Sequence, residues 1–436
     1  MTTDLELAAK ERGIKYFLVS FTDLFGVQRS KLIPAAAIGQ VSRAGAPFGG
    51  FATWLDLTPA EGDQFAIPDA TTLMQLPWKP EVGWVAADLW VDGQRVEQAP
   101  RTVLRRVVDE AAASGYEMKS GVECEFFLVT PDGTAIWDPA DRQAKACYDQ
   151  QSLMRRYDVI AEVCDAMLAL GWQPYQNDHE DAHGQFEMNW AYDTAMVTAD
   201  RHVFFKFMMK SVAEKHGLRA TFMPKPFAHA VPSGCHAHLS LWRRGENLFM
   251  DESGELGLSP LAYQFLGGIL AHAESFAALT NPTVNSYKRI NAPVLPNGMP
   301  LGPAANAITY GGNNRTHLVR IPAAGRFEVR ISDGAANPYL LQAAYLAAGL
   351  DGIATQADPG KRLDINMFEP GRAQPSDVRR LPGNHLDAVR NLDRAAVLRA
   401  KLGSAFVDAY VKLKTMEWNA HCSALSEWER SATLDC

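Results

Sequence analysis

The segment Gly121-Val-Glu-Cys-Glu-Phe-Phe-Leu128 places two glutamates, Glu123 and Glu125, two positions apart in an otherwise apolar run. Residues i and i+2 of a β-strand share a face, so a strand here presents both carboxylates side by side. Two carboxylates on one face repel each other and resist burial. A positive group must therefore lie between them, and a metal ion is the simplest such group.

Two later segments show the same alternation of polar and apolar residues. The polar positions are His236, His238 and Ser240 in the first segment, and Arg326, Glu328 and Arg330 in the second. Each alone also fits an ordinary explanation, a core histidine pair or a solvated edge strand with paired charges. A polar stretch at 177–189, which holds Glu180 and Glu187, is by itself predicted to be a solvated loop.

Together these segments supply the donors that a hard cation requires. The candidate ligands are five carboxylates and one imidazole: Glu123, Glu125, Glu180, Glu187, Glu328 and His236. Oxygen-rich sites without thiolate favour Mg²⁺ or Mn²⁺ over Zn²⁺, and such ions hold ATP phosphates. Several arginines follow in the sequence, and guanidinium groups bind carboxylates and phosphates bidentately. They are Arg289, Arg315, Arg320, Arg326 and Arg330. The combination indicates ATP-driven activation of a carboxylate, although no Walker-type or GxGxxG motif is present.

Composition narrows the class of protein. A chain of 436 residues predicts two domains, and a net charge of −8 without a basic block argues against a nucleic-acid partner. No apolar run approaches the roughly 20 residues that span a bilayer, and the N-terminus lacks the pattern of a signal peptide. The six cysteines show no CxxC spacing, which is typical of reduced thiols in a cytoplasmic protein.

The chain is predicted to divide into a small β-rich domain at 1–99 and a larger domain at 100–436. Thr102 is the expected cap of a helix over 103–114. Helices are also predicted at 4–12, 152–170, 199–216, 260–279 and 338–354, and strands at 15–22, 27–33, 84–91, 235–242 and 326–330. A charge-poor loop is expected at 44–52, and residues 281–314 are expected to form a long functional loop.

Six ordered motifs make the chain similar to the glutamine synthetase family over nearly its whole length. They are Glu123-x-Glu125-Phe-Phe, Gly184-Gln-x-Glu187, His236-x-His238-x-Ser240, Asn281-Pro-Thr-x-Asn-Ser-Tyr-Lys-Arg289, Asn314-Arg-x-x-x-x-Arg-Ile-Pro322, and Arg326-x-Glu-x-Arg330 followed by Ala335-Ala-Asn-Pro-Tyr339. The resemblance implies an α+β fold with an N-terminal β-grasp domain and a C-terminal catalytic domain, whose antiparallel sheet forms a funnel-like site flanked by helices. It also implies a homo-oligomer, a dodecamer of two hexameric rings with sites between subunits.

The resemblance further implies a role for each matching residue. One metal ion would be held by Glu125, Glu180 and Glu187, and a second by Glu123, His236 and Glu328. ATP would contact His238, Ser240 and Arg326, and glutamate would contact Arg289 and Arg330. Arg315 and Arg320 would stabilise the transferred phosphate. In the implied reaction, the γ-carboxylate of glutamate attacks the γ-phosphate of ATP, and an amine then displaces phosphate to leave a γ-amide. A protonated amine must first lose a proton to a nearby acceptor.

The chain departs from ammonia-using family members at a loop of the N-terminal domain. Their Asp-Gly-Ser-Ser motif, whose aspartate binds ammonium, is replaced by Phe48-Gly-Gly-Phe-Ala52. Gly49 replaces the aspartate and Phe51 a serine, and residues 290–314 lack the family's acidic flap residue. An alkylamine is therefore favoured, because a methyl group gains on the order of 1 kcal/mol against Phe51 or Ala52. The chain is similar to the γ-glutamylmethylamide synthetase branch, also called type III glutamate–ammonia ligases.

Several alternatives stay open. Ammonia is the competing amine, with Glu180 or Asp56 as the proton acceptor, and longer amines are a third choice. A non-catalytic relative and an ATP-independent two-metal hydrolase are the rival classes.

Two further departures from the family concern regulation and glutamate binding. Phe368 replaces the tyrosine that some bacterial relatives adenylylate, so no adenylylation is expected there. Val231-Pro232 replaces a glutamate-binding Asn-Gly.

Overall fold

The computed structural model describes residues 4–292, 306–368 and 378–436, which form a mixed α and β structure. The helices are α1 (Leu5–Arg12), α2 (Ile38–Ala44), α3 (Pro100–Ala113), α4 (Gln150–Arg155), α5 (Tyr157–Ala169), α6 (Ala195–Lys215), α7 (Pro260–Thr280), α8 (Val284–Ile290), α9 (Pro338–Thr355), α10 (His385–Arg394), α11 (Ala396–Leu402), α12 (Ser404–Ser423) and α13 (Glu427–Thr433). Short 3₁₀ turns cover Ala35–Ala37, Gly50–Ala52, Ala70–Thr72 and Glu255–Gly257.

The strands belong to two separate sheets. They are β1 (Tyr16–Thr22), β2 (Gln28–Pro34), β3 (Ala46–Gly49), β4 (Asp63–Pro68), β5 (Met74–Gln75), β6 (Val82–Val91), β7 (Gln94–Arg95), β8 (Glu117–Val129), β9 (Pro174–His179), β10 (Gln185–Trp190), β11 (Asp193–Thr194), β12 (Arg219–Thr221), β13 (Cys235–Arg243), β14 (Glu246–Asn247), β15 (Tyr310–Gly311), β16 (Val319–Ala323) and β17 (Arg326–Val329). The predicted α+β class is confirmed.

The first sheet contains β1 to β7 in the order β2-β1-β6-β4-β3, with β5 and β7 also paired to β6. β1 and β6 run parallel, and the other pairs are antiparallel. The buried strands β1 and β6 supply its core, with Phe17, Val19 and Trp84 fully enclosed. Because all its strands lie before Pro100, where α3 begins, the sheet falls inside the predicted domain at 1–99; the domain division itself stays a prediction.

The second sheet is centred on β8 and follows the order β15-β16-β17-β13-β8-β10-β9. β11 and β12 also pair with β8, and β14 pairs with β13. One face of β8 is apolar: Phe126 packs edge-on against Phe205 of α6 and also contacts Phe222. The opposite face carries Glu123 and Glu125. The apolar face therefore fixes the strand to the helical layer while the polar face remains available to a site.

Helices α7 and α9 pack closely against each other. A Cβ atom built on Gly268 of α7 would lie 2.1 Å from the carbonyl oxygen of Ala348 and 2.8 Å from Gly352 in α9. Only glycine permits backbones to approach this closely without displacing one of them. No described helix is long and apolar enough to cross a membrane.

An ion-pair cluster joins the start of α3 to the first sheet and to α6. Arg101 is buried, and its guanidinium donates to Asp88 at 2.7 Å, Asp69 at 2.8 Å and Asp200 at 3.2 Å. The hydroxyl of Tyr339 at the start of α9 donates to Asp200 at 2.6 Å. The cluster therefore ties α3, the first sheet, α6 and α9 together through a largely buried network of ion pairs and hydrogen bonds.

One prediction was wrong at the polar stretch 177–189. It is not a loop: β9 and β10 form an antiparallel hairpin there. Phe186, Met188 and Trp190 are buried, and they alternate with the polar residues of β10. Pairing of β10 with β8 explains why so polar a segment becomes a strand.

Other predicted boundaries also differ from the structure. Thr102 does not cap α3, which begins at Pro100, and proline's fixed φ suits the first helical position. The single helix predicted at 152–170 breaks at Arg156 (φ −112°, ψ 18°). The loop predicted at 44–52 contains β3 and a 3₁₀ turn. Residues 281–314 include α8 and β15, and 293–305 lie outside the described residues.

Candidate active site

Three cross-strand pairs bring the candidate ligands together on one face of the second sheet. Glu123 of β8 lies opposite His236 of β13, Glu125 lies opposite Glu187 of β10, and His238 lies opposite Glu328 of β17. Directly opposed side chains in an antiparallel ladder have Cβ atoms about 5 Å apart. Residues that are far apart in sequence thus become neighbours through strand register alone.

Glu123 is held by two histidines. Nε2 of His238 donates to Oε1 of Glu123 at 2.8 Å, and Nδ1 of His236 lies 3.3 Å from Oε2. Arg326 donates to Nδ1 of His238 at 2.8 Å, so that nitrogen is the acceptor and Nε2 carries the proton. Arg326, His238 and Glu123 therefore form one hydrogen-bonded chain along the sheet.

Glu125 and Glu328 are each fixed by donors on neighbouring segments. Glu125 accepts from the backbone N–H of Gly234 at 2.8 Å and from the side-chain amide of Gln185 at 3.0 Å. Glu328 is fully buried and accepts from Arg320 at 2.8 Å and from Arg330. Arg320 and Arg330 thus both bind Glu328, the carboxylate that the family resemblance predicts to be a metal ligand.

A cavity of about 580 Å³ opens in front of these residues. Nine of the residues singled out from the sequence line it: Glu123, Glu125, Glu180, Glu187, His236, Arg289, Arg315, Arg320 and Arg330. The structure therefore brings the carboxylates and guanidinium groups of separate sequence motifs to one concave site.

The carboxylates of this cavity carry excess negative charge. Burial, and then the charges of Glu125 and Asp178, raise the pKa of Glu180 to about 9. Burial, and then Glu123 and Glu125, also raise the pKa of Glu187 well above its usual range. Burial opposes ionisation of Glu123 too, but hydrogen bonds from His236 and His238 outweigh it and lower that pKa. A cation would relieve the repulsion at Glu180 and Glu187.

Beside a group that combines the thiol of Cys147 with Glu180 and Asp181, three groups made only of carboxylates and histidines lie close enough to share a cation. In each, the ligand atoms are all within 4.8 Å of one another: Glu123, Glu187 and His236; Glu123, His238 and Glu328; Asp178, Glu180 and Glu187. Oxygen dominates each group and no thiolate contributes, which suits Mg²⁺ or Mn²⁺. The residues present therefore fit divalent metal ions on the chemistry of their donors.

Arg289 lies deep in the cavity, beside the carboxylates. It is buried and donates to the carbonyl oxygens of Ile331 at 2.7 Å and Arg330 at 3.2 Å. A Cβ atom on Gly234 would come within 3.1 Å of Arg289, 2.8 Å of His236 and 2.9 Å of Glu125. Gly234 therefore keeps open the space that these three groups surround.

Two sets of predicted residues lie outside the lining of this cavity. His238 and Arg326 extend the site along β13 and β17, and Ser240 accepts a hydrogen bond from Trp242 at 2.8 Å. Gly49, Phe51 and Ala52 belong to the other sheet and its 3₁₀ turn, and Phe51 is 60% exposed. Within one chain, the amine-pocket residues are thus not joined to the carboxylate cavity.

Sequence reasoning missed several residues of the site. Tyr148, Gln176 and Asp178 line the cavity, and Asp178 has its pKa raised to about 6 by burial and then by Glu123 and Glu125. Tyr148 has a positive φ of 60°, unusual for a residue with a side chain. The Asn177-Asp-His-Glu180 run was a usable signal for Asp178, whereas nothing local marks Tyr148.

Comparison with known proteins gives the site its context. The sequence pattern of the glutamine synthetase catalytic domain matches residues 97–433. The chain belongs to the glutamine synthetase family. It is 59% identical to the glutamine synthetase of Rhizobium leguminosarum bv. phaseoli over the full length of both chains. It is 38% identical to the glutamate–methylamine ligase of Methyloversatilis universalis, covering 98% of this chain and 97% of that one.

Solved structures of a protein called GmaS are similar over the whole of both chains. The apo form is 61% identical with a TM-score of 0.94, and an ADP complex is 62% identical with a TM-score of 0.95. As a ligase of the glutamine synthetase family, the chain uses ATP and divalent metal ions. The oxygen-rich cavity supplies the donors that such ions require.

Proposed function

We propose that the protein joins glutamate to a small primary amine through γ-glutamyl phosphate, with methylamine preferred over ammonia. The preference for methylamine rests on the segment Phe48-Gly-Gly-Phe-Ala52, which presents the exposed ring of Phe51 and no carboxylate. A carboxylate holds ammonium by charge, whereas an apolar surface gains free energy only from an alkyl group. The similarity to GmaS and to a glutamate–methylamine ligase supports this choice.

The loop that carries Phe51 is well anchored. The hydroxyl of buried Thr53 donates to the carbonyl of Gly50 at 2.6 Å, which closes the 3₁₀ turn. A Cβ atom on Gly50 would lie 2.9 Å from the carbonyl oxygen of Gly62, so the turn packs tightly against the neighbouring segment. A rigid base holds the ring of Phe51 outward, ready to form one wall of a pocket.

Two sets of ligands would hold the metal ions. As the family resemblance implies, we expect Glu125, Glu180 and Glu187 to form one set and Glu123, His236 and Glu328 to form the other. Bound Mg²⁺ or Mn²⁺ would neutralise phosphate charge and orient the γ-phosphate. His238, Ser240 and Arg326 would contact the nucleotide.

The chain's own cations would then act on glutamate and on the transferred phosphate. Arg289 and Arg330 would bind the carboxylates of glutamate, and buried guanidinium groups suit this because they stay charged. Arg315 and Arg320 would stabilise negative charge as the phosphoryl group moves to the γ-carboxylate. The acyl phosphate has a good leaving group, so a deprotonated amine can displace phosphate.

Ammonia is the second candidate, because the Rhizobium relatives at 59% identity are named glutamine synthetases. An ammonia-using site needs another proton acceptor in place of the missing aspartate. Asp56 is engaged with Lys412, whose Nζ lies 2.7 Å from its carboxylate. Glu180 lines the catalytic cavity and is the remaining acceptor candidate, once a bound cation keeps its carboxylate ionised.

A steady-state comparison of methylamine, ethylamine and ammonia tests the proposal. With saturating ATP, glutamate and Mg²⁺ or Mn²⁺, kcat/KM should be highest for methylamine and lower for ammonia. A clear preference for ammonia by kcat/KM would reject the alkylamine assignment while leaving the ligase class intact.

The proposal includes a dodecamer of two hexameric rings, with each site completed by a neighbouring chain. Exposure of Phe51 and its separation from the carboxylate cavity within one chain support this arrangement. Light scattering should give a mass about twelve times the chain mass of 47.9 kDa. An active monomer would contradict the shared site.

A further inference from the structure

A second cavity, of about 620 Å³, shares no lining residue with the catalytic cavity. It lies between the turn that joins β1 to β2, helix α6, strand β12 and the first residues of α8 and α9. Its size falls in the usual range of small-molecule sites. No residue of the family motifs assigned above to metal, ATP or glutamate faces it.

Three cations line this cavity: Lys206 and Lys210, four residues apart on α6, and Arg219 of β12. In the part of the chain that the structure describes, none of them forms an ion pair. Glu214 is the one carboxylate among the described lining residues. The cavity thus holds two positive charges in excess, and unneutralised charge of this kind attracts anions.

Phe222 brings the two ammonium groups together. The Nζ atoms of Lys206 and Lys210 lie 5.4 Å and 5.9 Å from the centre of its ring. Burial, and then the charges of Lys206 and Arg219, lower the pKa of Lys210. A bound anion would relieve this crowding of like charges.

Both amide side chains that line the cavity, Gln28 and Asn285, are already hydrogen-bonded. Gln28 donates to the carbonyl of Val203 at 2.7 Å and accepts from Trp84 at 3.0 Å. The amide of Asn285 both accepts from and donates to the backbone of Lys225. Recognition of a ligand would therefore depend on the three cations.

The remaining wall is apolar. Val203, Phe207, Phe222 and Pro338 contribute side chains to it. Such a wall would contact the hydrocarbon part of a ligand, while the cations contact its acidic groups. This combination fits an organic anion better than a bare inorganic ion.

We propose that this cavity is a second binding site, for a small organic dianion whose two negative charges are joined to a hydrocarbon part. A dicarboxylate and a phosphomonoester share this chemistry. The site goes beyond the proposed ligase reaction and does not depend on which amine is used.

One wall of the cavity contacts the segment around Gly334, which is hydrogen-bonded indirectly to Arg289, a proposed glutamate-binding residue. Nζ of Lys206 donates to the carbonyl of Gly334 at 2.7 Å. The preceding residue, Asp333, accepts from Asn281 at 2.9 Å, and Asn281 also donates to the carbonyl of Ile331. Ile331 in turn accepts from Arg289. These hydrogen bonds connect Lys206 to Arg289, so we expect a dianion that draws Lys206 away from Gly334 to change the KM for glutamate.

Calorimetric titration of the full-length protein in its native assembly tests the site. Phenyl phosphate and glutarate are the probes, added with Mg²⁺, glutamate and a non-hydrolysable ATP analogue to fill the catalytic cavity. At least one probe should bind with one site per chain, and the Lys210→Met/Arg219→Met variant should weaken binding at least tenfold. The relative affinities of phenyl phosphate and glutarate show whether a phosphomonoester or a dicarboxylate is the better ligand.

The matched controls isolate the cations of the cavity. Lys215→Met removes a lysine of the same helix that pairs with Glu162 outside the cavity and should leave binding unchanged. Benzyl alcohol, which has the ring but no charge, should not bind. Absence of binding by both probes, or equal binding by the double variant, would overturn the site.

Kinetics test the link to glutamate separately. The binding probe should shift the KM for glutamate in the wild-type protein and not in the double variant, whose kcat without the probe should be unchanged. A KM that is unaffected at saturating probe would overturn the link. Because calorimetry requires no turnover, binding of the probes can be measured even if the proposed ligase reaction fails, so the two failures can be told apart.

Discussion

Glu125 and Glu187 are direct cross-strand partners in β8 and β10, so two carboxylates face each other across neighbouring strands. Like charges at directly opposed positions destabilise a sheet. Both residues are more than 90% buried, which removes the water that would screen them. The fold therefore keeps an unfavourable pair at its centre, and a bound cation is the physical reason for it.

This repulsion predicts how stability of the metal-free protein depends on pH. The pKa of Glu180 rises from 4.5 in an unfolded chain to about 9 in the fold, by burial and then by the charges of Glu125 and Asp178. The stability linked to its protonation is fully present below pH 4.5 and is lost as the pH rises to 9. After treatment with EDTA, the melting temperature should fall across this range.

Two comparisons isolate the cause. In Glu180→Gln the fall between pH 5.5 and 8.5 should be smaller than in the wild-type protein. Saturating Mg²⁺ or Mn²⁺ should raise the melting temperature most at the alkaline end, because metal and protons compete for the same oxygens. Equal slopes in variant and wild type would contradict this explanation.

Metal binding should depend on the opposed carboxylates. We expect at least two Mn²⁺ ions per wild-type chain in a calorimetric titration. Glu187→Gln removes an oxygen ligand and should weaken binding by at least about tenfold. Glu117→Gln changes an exposed glutamate at the start of the neighbouring strand β8 and serves as the control, with unchanged binding. Normal stoichiometry and affinity in Glu187→Gln would show that the metal is held elsewhere.

The sequence predicts the polar face of the sheet well because each strand carries its own period-2 signal. Glu123 with Glu125, His236 with His238 and Arg326 with Glu328 each alternate within a single strand. Spacing alone could not say that these strands are neighbours, since register joins residues that are far apart in the chain. The similarity to a known family supplied that information.

Other features depend on contacts that a local pattern does not encode. Gly234 matters because a side chain there would strike Glu125, His236 and Arg289, which come from three separate segments. The hairpin of β9 and β10 was mistaken for a loop because its polar residues face the cavity rather than solvent. The short strand β3 is likewise defined by its pairing with β4.

Arg101 should be among the most sensitive positions for stability. Its guanidinium pairs with Asp69, Asp88 and Asp200 in a largely buried cluster. In Arg101→Met, buried Asp200 loses its cation, while Asp69 and Asp88 keep Arg105. Breaking a buried pair in this way costs about 3–5 kcal/mol. Urea unfolding should show that loss.

An exposed ion pair provides the matched control for Arg101. Arg390 lies 3.6 Å from Asp387, and both side chains are about half exposed. Arg390→Met should change the free energy of unfolding by less than about 1 kcal/mol, as is usual for surface pairs. Similar losses in the two variants would mean that the buried cluster contributes no special stability.

Amine choice should follow the loop at 48–52. Gly49 has φ −58° and ψ 122°, which aspartate also adopts, but its Cβ atom would lie 3.1 Å from the ring of Phe51. The Gly49→Asp/Phe51→Ser variant restores the carboxylate and removes that contact. The kcat/KM ratio of methylamine to ammonia should fall by at least about fivefold, equivalent to ~1 kcal/mol of lost methyl contact.

The control for the amine variant is Leu32→Ser, which changes another exposed apolar residue of the first sheet. It should leave the ratio unchanged, because β2 lies at the opposite edge of the sheet from β3. An unchanged ratio of kcat/KM in the Gly49→Asp/Phe51→Ser variant would show that the loop at 48–52 does not line the amine site.

Release of ADP by EDTA-treated protein tests most directly whether the converging carboxylates and His236 serve a metal-dependent ligase. We expect turnover only when Mg²⁺ or Mn²⁺, glutamate and a small amine are all present, with methylamine the best amine. Turnover that persists without a divalent metal, or no turnover with any amine, would contradict this expectation.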